Sequence, residues 1–319
     1  MMFHMRTPKP IKTLIKLVVA VTLFGYIMWV NDLGSVAESF FHIPAWVWVI
    51  CAALTVFSVI LSSVRLQLCL PEKKLRTLVY VRLVSVSYSF ILPGQLATEG
   101  IRVYLLVESD RRYSKPSAAI AVDKILSLLA IIILGVLGIV SSGIIFPGLS
   151  FLFAICGVLI FSILVLASIG PVNTVVCKML NRFTGLHKWL DRAIKFCTNT
   201  MTYFRDIAKN LKLVTKSFLL AVLFNMMIVS IGVLITLGMG LGTSIIDWFW
   251  IHAALSLLLT LPISIGGFGV REGGLIGLMA LVGATSEQAL AVSFALLTLQ
   301  LMQAFVGIVL LTSNAMKKC

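Results

Sequence analysis

Four charged residues stand where an apolar chain has least reason to carry them: Glu99 and Arg102, three apart, and the neighbours Arg271 and Glu272. Residues 261–274 read LPISIGGFGVREGG, with Pro262, Gly266, Gly267 and Gly269 ahead of the Arg-Glu pair; residues 92–106 read LPGQLATEGIRVYLL, with Pro93, Gly94 and Gly100 around the other. Pro93 and Pro262, Gly100 and Gly269, and Arg102 and Arg271 are each 169 residues apart. A guanidinium is a planar fork of donors that matches phosphate bidentately. A helix that begins after such a break offers free N–H groups and a positive dipole end to an anion. Two readings stand side by side for these charges: they hold an anionic group, or they neutralise one another and pin the chain where it breaks. The prolines read as hairpin breaks, and the glycines as tight turns and close backbone approach.

Asp123 and Lys124, adjacent in another apolar run, read as a local charge pair with a snorkelling lysine. No HExxH, no paired aspartates of a metal-dependent glycosyltransferase, no nucleotide loop and no Ser/His/Asp set is found. No catalytic residue, metal or cofactor is therefore assigned, and the expectation is a protein that is not an enzyme. Glu99 with Glu272 is the one arrangement left to a headgroup transferase or hydrolase. The six cysteines lie in apolar runs or basic segments without CxxC spacing, so neither disulfides nor zinc are expected.

The elements that must position these residues are set by composition. With 319 residues, 60% of them hydrophobic, 12% charged and a mean hydropathy of +1.07, the chain reads as polytopic and integral to a membrane. Its net charge of +14 could suggest nucleic acid, but the distribution excludes that partner. None of the 26 Lys and Arg falls in residues 31–43, 141–148, 239–247 or 285–288, which the positive-inside rule makes the outer loops. The expected place is an inner, cytoplasmic membrane of a cell, with both termini on the cytoplasmic side. Ser35-Val36-Ala37 resembles a signal-peptidase site, but the first helix is read as retained because the second half has a counterpart for it.

Apolar runs at residues 17–30, 44–64, 117–140, 151–169, 218–237 and 289–312 make about six spanning helices. Residues 65–76 read as a cytoplasmic turn. Residues 78–110 and 248–282 each enter and leave on one face, because the charges flanking them demand it, so both read as re-entrant helical hairpins. The expected fold is all-α, one membrane domain over 1–319 built as an inverted-topology repeat, 12–140 against 149–312. Residues 176–214 are expected to add a cytoplasmic amphipathic helix at the interface, broken near Gly185, with Phe183, Leu186, Leu190, Ile194, Cys197, Met201 and Phe204 on one face. Inverted repeats whose broken helices meet near the midplane are a transporter construction, and a lipid phosphate, its tails remaining in the bilayer, is the natural anion.

Residues 92–106, AIAVDKILSLLAI at 119–131, and residues 261–274 resemble the membrane domain of the lysylphosphatidylglycerol synthase and flippase-like family over nearly the whole chain. Where that family more often has a Gly-Gly-Asp type of sequence, Ala97, Thr98 and Glu99 stand here. Members that make aminoacylated lipid carry a separate soluble transferase domain, and only a few residues follow the last span here. The resemblance therefore implies the lipid-translocating part alone, with membrane lipids as partners, of anionic phospholipid, aminoacyl-lipid, glycolipid or polyprenyl-phosphate class. A scaffold subunit serving a lipid-biosynthesis enzyme is the third expectation.

Overall fold

The computed structural model describes residues 10–90, 92, 95–107, 113–143, 147–168, 188–261 and 266–313, and every regular element within them is a helix. In chain order these are α1 (Pro10–Val30), α2 (Leu33–Phe41), α3 (Ala45–Cys69), α4 (Leu75–Ser89), α5 (Gln95–Leu106) and α6 (Ser114–Ser142). The second half holds α7 (Pro147–Ser168), α8 (Lys188–Lys209), α9 (Leu211–Gly238), α10 (Ile245–Thr260), α11 (Val270–Ala280) and α12 (Ser286–Thr312).

Among the described residues α3, α6, α9, α12 and the 148–166 part of α7 are long and apolar enough to cross a bilayer, five helices where about six are expected. The sixth expected span, residues 17–30, lies on α1, of which Val21–Val30 is described as a shorter apolar helix. The residues of the two expected hairpins form four short helices, α4 and α5 packed on one another and α10 packed on α11. α4 has 15 residues and α10 has 16, so each is about 22–24 Å long against a hydrocarbon core of roughly 30 Å.

The interior is built where α3 crosses α9, α4 lies on α12, and α10 lies on α6. Close approach in the last two pairs depends on glycine. A Cβ at Gly307 of α12 would sit 2.3 Å from the Leu83 carbonyl oxygen of α4, and one at Gly138 of α6 would sit 2.8 Å from the Ile246 carbonyl oxygen of α10. Small residues let helix backbones meet in a membrane, where burying apolar surface gives no advantage over lipid. α7, by contrast, touches α6 and α8 and leaves Phe151, Val158 and Phe161 exposed, as a helix bathed by lipid would.

Two elements depart from expectation. Residues 31–43, read as an outer loop, contain α2, which docks on α12 through the buried Val36. Asp32 caps it, accepting hydrogen bonds from the Gly34 and Ser35 amides, and the Ser35 hydroxyl with these amides holds its carboxyl below the usual carboxylate range. The expected interfacial helix over 176–214 is described from Lys188, so its start and the break near Gly185 lie outside the described residues. α8 buries Ile194, Phe204 and Ala208 against α6 and α7 and exposes Arg192, Lys195 and Lys209. It stops at Lys209 because Asn210 accepts from the Leu213 amide and starts α9 there, seven residues before the apolar run that marks the span in the sequence.

Candidate functional site

The charges gather in two places, both inside the bundle. The first lies where α3, α4, α5 and α6 meet. α3 continues to Cys69, so Arg65, expected in a cytoplasmic turn, stands inside the helix and is only 4% exposed. Its Nε donates to the Asp123 carboxylate of α6. Arg102 of α5, 3% exposed, donates from Nη1 to Glu99 Oε2 at 2.7 Å and lies 3.8 Å from Asp123 Oδ2. Arg82 of α4, half-buried, interacts electrostatically with Arg102, Glu99, Asp123 and Arg65, and Lys124 of α6 does so with Glu99, Arg82, Arg102 and Asp123.

The ion-pair partners of Asp123 are thus on other helices, and the reading of Asp123 with Lys124 as a merely local pair understates both. Consecutive helix residues point about 100° apart, so Asp123 can face Arg65 while Lys124 faces a different neighbour. Sequence reasoning passed over Arg65 and Arg82 as members of a site. The signal for Arg82 was there, a single arginine in an otherwise apolar arm; for Arg65 it was the continuation of helix-forming residues to Cys69.

The second cluster surrounds the start of α11. Gly266, Gly267 and Gly269 have φ of +65°, +81° and +80°, a left-handed backbone that other residues rarely adopt, and they turn the chain into the helix. Glu272, fully buried, accepts from the Gly269 amide at 2.7 Å, so its carboxylate caps the helix that carries it. Its other oxygen accepts from Arg271 Nη2 at 3.1 Å and from the Ser293 hydroxyl at 3.0 Å. Arg271 is 5% exposed; its Nε also reaches Ser293 at 3.2 Å, and its Nη1 donates to Gln300 Oε1 at 3.2 Å. This pair is electrically neutral, and every side-chain nitrogen and carboxylate oxygen in it has a partner on α11, on its N-cap Gly269 or on α12.

The two clusters are joined through the ends of the short helices. Gln300, about half-way along α12, donates from Nε2 to the Ser89 hydroxyl at the last residue of α4, 3.3 Å away. The Phe90 and Phe268 ring centroids are 6.4 Å apart, and a Cβ on Gly266 would lie 3.6 Å from the Ser89 carbonyl oxygen. The end of α4 thus touches the turn that leads into α11, the helix of Arg271 and Glu272. Pro93, Gly94 and Pro262 lie outside the described residues. Gly100 does not make the close approach expected of it: it stands within α5, exposed, with open space beside it.

Beyond Asp123, α6 turns from charged to apolar. From Leu126 onward it forms, with α7 and α9, a groove of about 670 Å³ lined by side chains such as Leu129, Val136, Phe153, Val158 and Phe218, with Thr215 its one polar residue. The groove is separate from the charged clusters and can take hydrocarbon but not a headgroup.

A chain whose described residues are helical, with five helices fit to cross a bilayer and large apolar side chains turned outward, is a multi-pass membrane protein. The chain belongs to the family described as Lysylphosphatidylglycerol synthase TM region, whose match covers residues 13–307, a family of membrane proteins tied to lipid modification. No curated protein and no solved structure matches it.

Proposed function

We propose that this protein is a translocase of lipids or lipid-linked headgroups in an inner, cytoplasmic membrane, not an enzyme, and that it works as an inverted-topology repeat with two re-entrant hairpins, α4/α5 and α10/α11. The observation that carries the reading is the contact between the end of α4 and the turn that leads into α11, with ionisable groups buried on the helices around it. Ionisable groups at membrane depth mark substrate paths by default, and broken helices meeting between repeats mark transport sites. The apolar groove beside α6 suits the acyl chains that remain in the bilayer while a headgroup crosses.

Packing supports the repeat. α4 lies on α12 as α10 lies on α6, α3 meets its counterpart α9, and α4 pairs with α5 as α10 does with α11. The glycines that permit the first two contacts, Gly138 and Gly307, differ by the same 169 residues as the two arginines. The end of α4 at Ser89 meets α12 at its middle, as the tip of a hairpin that stops at mid-depth would.

The test is leaflet exchange in liposomes containing the purified protein, with labelled anionic lipids whose outer-leaflet fraction is chemically quenched. Quenching beyond one half of the label, at a rate that scales with protein, is expected. Cleavage or transfer of headgroup bonds would replace the reading with a transferase or hydrolase using Glu99 and Glu272, and neither exchange nor turnover would leave a scaffold for a lipid-biosynthesis enzyme.

A further inference from the structure

The groove between α6, α7 and α9 has dimensions that select what can fill it. Its lining runs from Leu126 to Leu137 on α6 and from Phe153 to Leu164 on α7. These ends are 11 positions apart in each helix, or about 16 Å at the helical rise. One leaflet of a hydrocarbon core of roughly 30 Å is about 15 Å deep. A volume of about 670 Å³ over that length leaves a passage roughly 7 Å wide, whereas a helix with its side chains is about 10–12 Å across. The groove therefore matches the acyl region of one leaflet and is too narrow for a helix of a second copy or of another protein.

The two ends of the groove differ in charge. Leu126, Leu164, Val214 and Phe218 line one end and belong to the same apolar cluster as Phe204, Ile207 and Ala208 of α8. α8 thus lies against that end, where α7 finishes and α9 begins. The corner between α8 and α9 is basic: Lys209, Lys212 and Lys216 are exposed there and form no ion pair. Arg205, four residues before Lys209 and so on the same side of α8, has a buried Nε without a partner. Thr215 of the groove wall is exposed, next to Lys216 and one turn from Lys212. At the other end, near Leu137 and Phe153, the chain carries no charged residue throughout 138–152. A slot that is apolar along its length, uncharged at one end and basic at the other has the polarity of an anionic amphiphile.

We propose that this groove is a binding site for one anionic phospholipid of the leaflet on α8's side of the membrane. An acyl chain lies along α6 and α7, Lys212 and the Thr215 hydroxyl donate to the phosphate oxygens, and Lys209 and Arg205 add to the positive field at the entrance. A phosphatidylcholine headgroup brings an ammonium toward the same cations and loses what an anionic headgroup gains there, about fivefold per neighbouring lysine. The site is distinct from the charged clusters, because Asp123, one turn before Leu126, faces Arg65. It goes beyond the translocase reading and requires only a chain embedded in a bilayer.

The experiment is photolabelling of the full chain in phosphatidylcholine liposomes. A small fraction of phosphatidylglycerol, or in parallel of phosphatidylcholine, carries a diazirine in one acyl chain, and labelled peptides are mapped by mass spectrometry. Phosphatidylglycerol is expected to label residues 126–137 and 153–164 at least fivefold more than phosphatidylcholine at equal mole fraction. Both lipids should label the exposed face of α3 at Val49 and Val56 equally. Lys209→Gln with Lys212→Gln is expected to bring the ratio in the groove close to one, with the α3 label unchanged as a report of an intact fold. Ala154→Trp, which fills the groove from α7, is expected to remove the label of both lipids from residues 126–137. Equal labelling by the two lipids in the unaltered protein would make the groove ordinary lipid-facing surface and overturn the proposal, as would a preference that survives loss of both lysines. Label on α3 with none in the groove would mean that protein covers it, and would overturn the proposal equally. Leaflet exchange is measured on the same liposomes: exchange without a groove preference removes this site alone, and a groove preference without exchange removes the translocase alone.

Discussion

At the residue scale, Arg271 and Arg102 occupy matching places in sequence but different chemical states. Arg271 spends its donors on Glu272, Ser293 and Gln300, and Glu272 spends its acceptors on Arg271, Ser293 and the Gly269 amide. Removing one partner leaves the other charged and buried, which costs about 3–5 kcal/mol, whereas removing both charges leaves a polar pair that can still hydrogen-bond. Arg271→Gln is therefore expected to lower thermal stability strongly, and Arg271→Gln with Glu272→Gln to recover most of the loss. Additive damage in the double variant, read in a thermal melt, would show that the two residues do not act as a unit. Arg271→Lys should also destabilise, because one ammonium cannot reach Glu272, Ser293 and Gln300 in the plane a guanidinium provides.

At the scale of elements, the contacts that set the architecture are those where glycine admits another backbone. Gly307→Ala would place a methyl group 2.3 Å from the Leu83 carbonyl oxygen, a backbone atom that can move only with α4. Overpacking of this kind costs typically about 1–3 kcal/mol, and the expected result is a lower melting temperature with α4 displaced from α12. Gly277→Ala, in open space on α11, is the control expected to change little. The turn from α3 to α4 is tied to the start of α6 by Glu72 and Lys115, 2.9 Å apart and both partly exposed. Burial raises the Glu72 carboxyl and Lys115 outweighs it, leaving the group below its ordinary value of 4.5. A carboxylate lowered on folding stabilises above its unfolded pKa and loses that contribution as pH falls through the folded one. The pair is exposed enough for salt to screen it. Stability should therefore fall slightly more steeply below pH 4.5 in the unaltered protein than in Glu72→Gln, and the difference should shrink at high salt.

For the whole molecule, the decisive quantity is the arrangement of two halves about one interior. Cysteines placed at Phe90 and Phe268, whose rings are 6.4 Å apart, are expected to crosslink rapidly in the membrane, and those at Phe90 and Phe151 not to. Accessibility to an impermeant thiol reagent tests orientation in the same set of variants. Cysteines at the exposed Gly242 and at Ser286 should react from outside and one at Lys115 only after permeabilisation, since basic segments are retained on the cytoplasmic side. Reaction of the Lys115 variant from outside would turn α4 into part of a full crossing and remove the proposed re-entrant hairpins.

Much of this was written in the sequence, for identifiable reasons. Hydrocarbon demands long apolar helices and tolerates a break only under cover, so the helices of the bundle, the interruptions near residues 93 and 262 and the family itself can be read from composition, spacing and motif. Sequence also marks Glu99, Arg102, Arg271 and Glu272 as out of place. What it cannot supply is the partner of each charge, because ion pairs between helices depend on which faces meet. Arg65 reaches Asp123 across 58 positions in the chain, and Gln300 reaches Ser89 across 211. Charges one or three residues apart look like neutral pairs in a string of letters. Only when α3, α4, α5 and α6 are packed side by side do Arg65, Arg82 and Arg102 come close to Glu99 and Asp123, because the low-dielectric interior couples groups by distance in space, whatever their separation along the chain.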